Sequence, residues 1–182
     1  MQHLWETLNT LFFGGPIPHT TFRWKKLPRS ELGNTTSCLL GLTITMNPSR
    51  TSCDFADYVL LDFLSTLVHE SIHAFLQSYA CWSCRSWDRD YMEGGHGRSF
   101  QMLARKIEEA FPQLLGLPVR SGRLDSFLGD FGVREGKEKG RLKGCVPSVH
   151  DLEMWGFEDI DPGVRNEDVR VLIHRARAMG DV

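Results

Sequence analysis

The chain runs to 182 residues, 41% of them hydrophobic and 24% charged, with a formal net charge of −2 and an isoelectric point near 6.4. Such values suit one compact domain with a core and a small appendage; they exclude a disordered chain and a protein drawn to polyanions by net charge alone. No basic leader opens the chain, no stretch approaches the roughly 18 apolar residues of a membrane span, and five cysteines lack a framework spacing, so the expectation is an intracellular protein, nuclear or cytoplasmic, with reduced thiols.

In chain order, Leu4, Leu8, Leu11 and Phe12 recur at helical spacing, and Gly14-Gly15-Pro16 stops that helix. Residues 20–24 and 37–46 are β-branched, aromatic or aliphatic and predict strands, with Gly33-Asn34 as the turn between them and Gly41 as a bulge. Asp54 is placed to cap a long helix over residues 55–79. Its apolar stripe would comprise Leu60, Leu61, Leu64, Leu67, Val68, Ile72, Phe75 and Leu76. Residues 81–95 form a polar, aromatic, glycine-bearing loop, long enough to suggest a function of its own. A second helix begins near His96 or Arg98, carries Phe100, Leu103, Ile107 and Ala110, and ends before Pro112. Residues 120–143 hold seven basic side chains against four acidic ones among glycines and predict a loose connector. A last helix follows Asn166, with Val169, Leu172, Ile173 and Ala176 on one face.

The chemistry concentrates in the long helix, where His69-Glu70-Ser71-Ile72-His73 sets two histidines four residues apart. One helical turn puts both imidazoles on the same face, able to converge on one cation at Zn–N distances of about 2.0–2.1 Å. Glu70 lies about 100° round the helix. It is poorly placed as a further ligand and well placed as a general base towards a water on the metal. A chance pair of histidines on an amphipathic helix is the alternative. A catalytic zinc takes three protein ligands and leaves a position open. The extended pattern that would supply the third from the same segment is absent, since Leu76 and Tyr79 stand where glycine and histidine would be needed. Glu108 and Glu109 are candidates on the next helix, and His96, flanked by Gly94, Gly95 and Gly97, is the better one.

Two motifs in this order resemble the SprT/Spartan family of metalloproteases: the helix 67–76 (LVHESIHAFL) and the downstream Glu93-Gly94-Gly95-His96-Gly97-Arg98-Ser99-Phe100. The opening Leu8-Asn9-Thr10-Leu11-Phe12-Phe13-Gly14-Gly15 and a strand containing Trp24 are similar as well, so the resemblance covers roughly residues 4–111. It implies an α+β, zincin-like domain with a small mixed sheet, with His69, His73 and His96 as Zn2+ ligands and Glu70 as catalytic base. It also implies a protein substrate, single-stranded DNA as a candidate partner, and cleavage of DNA-bound or crosslinked proteins. Two features depart from the family pattern: a longer loop with Cys81-x-x-Cys84, and no zinc ribbon towards the C-terminus. A zinc peptidase without DNA dependence and a zinc-holding module without turnover therefore stand beside the first reading.

Cys81 and Cys84, with Cys145 and His150, could form part of a second zinc site, although two incidental thiols are the simpler reading. Trp82, Trp87 and Tyr91 interleave with Arg85, Arg89 and Arg98, a composition that stacks on bases or lines a peptide groove. Cys38 falls in a strand as a small buried hydrophobe. The expected organisation is a metalloprotease domain over residues 1–112 and an accessory segment over 113–182 ending in a helix.

Overall fold

The computed structural model describes residues 2–28, 30–39, 41–49, 56–91, 94–130 and 147–157. Helix α1 (Gln2–Phe13) is followed by strands β1 (Thr20–Trp24), β2 (Gly33–Cys38) and β3 (Gly41–Met46). Helices α2 (Ala56–Tyr79), α3 (Trp87–Asp90), α4 (Arg98–Leu115), α5 (Arg123–Asp130) and α6 (Val149–Met154) complete the described elements. The class is α+β, as expected. Two compact units divide the chain: one draws on Met1–Ala80 and Lys106–Ser121, the other on Cys81–Arg105 and Gly122–Val182.

In the first unit the sheet is mixed, in the order β1-β3-β2, with β1 parallel and β2 antiparallel to β3. Threonines stitch it across strands: the hydroxyls of Thr21 and Thr43 are 3.1 Å apart, and Arg23 Nε donates to Thr45 Oγ1 at 2.9 Å. β3 is the central strand, and Leu42, Ile44 and Met46 alternate along it into the core. Helix α2 lies against β2 and β3. Its residues Leu64, Leu67, Val68, Ile72 and Leu76 are buried, together with Trp5 and Leu8 of α1. Phe12 stacks on Phe111 with centroids 5.0 Å apart. α1 ends as its glycines dictate, both with positive φ, their amides returning to the carbonyls of Thr10 and Asn9.

Several expectations fail for local reasons. Gly33 and Asn34 open β2 rather than turning the chain, and the reversal falls between Cys38 and Gly41. Gly41 begins β3 at φ 131°, where an added Cβ would meet His19 O at 2.6 Å, so only glycine fits. Cys38 is exposed, because the far end of β2 faces outward. Leu60 is also exposed, at 64%, one turn ahead of the buried stripe. Helix α4 continues through Pro112 to Leu115. Within the last turn, loss of the proline amide costs a single hydrogen bond, and Gly116 closes back onto Pro112 O at 3.0 Å. Contrary to expectation, Tyr58–Tyr79 has the length and composition to cross a membrane; much of its apolar stretch is buried inside the protein, as in a core helix.

In the second unit Phe127, Trp155 and Phe157 form an aromatic cluster with centroids 5.3–6.1 Å apart. Part of the expected connector is thus ordered, since α5 buries Leu124, Phe127 and Leu128. Arg123 Nη1 donates to Trp155 O at 2.7 Å, and Arg105 donates to the carbonyls of Glu153 and Met154. Residues 131–146, the Asp54 cap, Cys145 and the helix expected after Asn166 lie outside the described residues.

Candidate metal centre

Helix α2 carries His69, Glu70 and His73 in its buried half, held by the apolar stripe that packs the helix on the sheet. His69 Nε2 and His73 Nε2 are 3.0 Å apart, an approach that the four-residue spacing allows. His69 Nδ1 lies 2.7 Å from Ser121 O. A carbonyl can only accept, so Nδ1 carries the proton, and a neutral ring held this way leaves the Nε2 lone pair for a cation. Ser121 is fixed in turn, since its amide and its hydroxyl both donate to Glu108 Oε1 at 2.7 Å.

His96 sits just ahead of α4 with Nδ1 2.9 Å from Asp130 Oδ2, and both side chains are largely buried. The same oxygen accepts from the His96 amide at 3.4 Å. Gln101 Nε2 donates to His96 O at 3.0 Å, and the Phe100 ring meets the imidazole edge-on at 4.9 Å. The flanking glycines make this packing possible. A Cβ on Gly94 would lie 2.0 Å from the Asp130 carboxylate, and one on Gly97 would lie 2.8 Å from the Asp90 and Tyr91 backbone.

The ligand atoms of His69, His73 and His96 all lie within 4.8 Å of one another, so these three side chains could hold a metal ion. No other group of three or more potential ligands forms among the described residues. Of the alternative third ligands, Glu108 is engaged with Ser121 and Glu109 pairs with Lys106 Nζ at 3.0 Å. The donor set fits zinc chemistry. It offers three imidazoles, two of them oriented through Nδ1 by a carbonyl and a carboxylate, which is the usual outer support of a histidine ligand.

Glu70 is 4% exposed. The Thr35 hydroxyl of β2 lies 2.7 Å from its Oε2 and 2.9 Å from its backbone O, so one proton serves two acceptors. Gly33 gives the carboxylate its room, since a Cβ there would stand 3.0 Å from both Glu70 Oε1 and Thr45 O. Burial pushes the Glu70 carboxyl up from 4.5 to about 7; the Thr35 hydrogen bond opposes the rise and the Glu31 charge adds to it. The group can therefore both take and give a proton near neutrality.

All four expected residues have clear places in the structure. Thr35, Glu108, Ser121 and Asp130 were not anticipated in their supporting roles, and Ser121 acts through its backbone carbonyl, which no side-chain pattern marks. In comparisons with known proteins, the family model described as the SprT-like family matches residues 1–121. No curated protein and no solved structure matches the chain.

Proposed function

The chain belongs to the SprT-like family, and from that premise we propose that it is a zinc-dependent metallopeptidase with a zincin-like fold. His69, His73 and His96 are the proposed ligands, and Glu70 the proposed base. The observation that carries the reading is one buried carboxyl, Glu70, on the helix turn between two of three clustered histidines. When bound, the metal would supply Lewis acidity, which favours ionised water and polarises a peptide carbonyl. Glu70 takes the proton from the attacking water and returns it to the leaving amine nitrogen as the C–N bond breaks. Thr35 holds Oε2 by hydrogen bond and so orients the carboxylate. Ser121 and Asp130 hold two imidazoles through Nδ1 and leave their Nε2 lone pairs for the cation.

The proposed substrate is protein, and the finer form of the proposal makes single-stranded DNA an activator. Trp82, 80% exposed, and the Trp87–Tyr91 pair, stacked at 4.3 Å, support that form as rings able to stack on unpaired bases. The test is incubation of the zinc-loaded protein with an unfolded protein substrate, with and without single-stranded DNA, beside Glu70→Gln. Cleavage that needs both Glu70 and DNA supports the full proposal. Cleavage that needs Glu70 alone keeps the peptidase and removes the DNA.

A further inference from the structure

Cys81 and Cys84 play no part in the proposed reaction. The Cys84 amide donates to Cys81 O at 3.2 Å, so the two cysteines are the first and fourth residues of a tight turn. Such a turn brings its end Cα atoms within about 7 Å, and a disulfide needs roughly 4.4–6.8 Å. The far side of the turn is fixed as well, because the Trp87 amide donates to Cys84 O at 3.0 Å. Both thiols are free and exposed. The Ser83 hydroxyl lies 3.5 Å from Cys81 Sγ. Neither cysteine belongs to the cluster of possible metal ligands among the described residues.

We propose that Cys81 and Cys84 are a reversible dithiol–disulfide site that closes by exchange with a low-molecular-weight disulfide. The roles of the two sulfurs differ. Hydrogen bonds from the Cys84 thiol, first, and then from Ser83 lower the Cys81 thiol to about 7, while the Cys84 thiol is raised by the same pairing. Cys81 is therefore the attacking thiolate at neutral pH and Cys84 the resolving one. Cys81 Sγ attacks one sulfur of the external disulfide, forms a mixed disulfide and expels a thiolate. Cys84 releases its proton to solvent and attacks Cys81 Sγ, closing the ring and expelling the second thiolate. Two protein thiols lose two electrons, and one external disulfide gains them to become two thiols. The site does not depend on the peptidase reading.

The test uses the full, zinc-loaded, reduced chain treated with oxidised glutathione, then iodoacetamide, with mass analysis of the cysteine peptides. Cys38, exposed on β2, serves as the reference thiol in the same sample. The expected product is a peptide bearing both Cys81 and Cys84 that has lost two hydrogens and regains them with dithiothreitol. Cys84→Ser should stop at a glutathione adduct on Cys81. Cys81→Ser should form its adduct on Cys84 more slowly at pH 7 than Cys84→Ser forms its adduct on Cys81, which keeps the Ser83 hydroxyl beside its sulfur. Both substitutions are at exposed positions, and retained zinc content checks that the variants are folded. Equal adduct formation at both cysteines without ring closure would overturn the proposal. So would a crosslink from either to another cysteine, or thiols that react only after chelation.

Discussion

Replacing Glu70 by glutamine should stabilise the metal-free protein at high pH while abolishing the proposed activity. The carboxyl is 4% exposed and its pKa lies near 7 rather than 4.5, chiefly through burial. A raised folded pKa means that folding favours the protonated form. That contribution is complete below pH 4.5 and is lost as pH rises through 7. At about 1.4 kcal/mol per pH decade, the ionised carboxylate costs the folded state about 3 kcal/mol at pH 8. Glutamine keeps the shape, stays neutral and still accepts from Thr35, but its amide N–H groups need partners, which takes back about 1–2 kcal/mol. Urea unfolding in the presence of a chelator, at pH 5 and pH 8, reads the difference. The amide cost is the same at both pH values, so the variant should gain about 2–3 kcal/mol over the parent on going from pH 5 to pH 8. A difference that does not change between the two pH values would refute the burial argument.

Asp130→Ala removes the acceptor from His96 Nδ1 and should weaken zinc binding by about 10–100-fold in chelator competition. Gly33→Ala pushes a methyl group against Glu70 Oε1 and Thr45 O, and should lower peptide hydrolysis at least about tenfold while zinc content stays unchanged, since a misplaced base costs rate rather than metal. Phe111→Ala empties a site that is 0% exposed and removes the ring stacked on Phe12. Thermal or urea unfolding should show a loss of about 3–5 kcal/mol.

Helix α2, which carries two of the three candidate ligands, was legible because its signal is periodic: the apolar stripe ending in Leu67, Val68, Ile72 and Leu76 and the four-residue histidine spacing lie in one element. His96 was legible through its glycines, though what those glycines admit is the Asp130 carboxylate and the backbone at Asp90 and Tyr91. The hairpin of β2 and β3 was misread because Gly41 resembles a bulge in one strand, while its positive φ marks the point where a new strand starts. Pro112 misled for a related reason, since its cost depends on how many turns follow it. Helix α5 was hidden by short length and high charge; tertiary burial of Leu124, Phe127 and Leu128 holds it. The outer support of the site was not legible at all. Ser121 and Asp130 stand 52 and 34 residues from the histidines they orient.

Whether His69, His73 and His96 hold zinc for a reaction that Glu70 drives is decided by zinc content and peptide hydrolysis measured together on the parent chain, Glu70→Gln and a His69→Ala, His73→Ala, His96→Ala variant. One zinc per chain is expected in the parent and in Glu70→Gln, none in the triple variant, and hydrolysis in the parent alone. Hydrolysis by Glu70→Gln at the parent's rate, or a full complement of zinc in the triple variant, would contradict these roles.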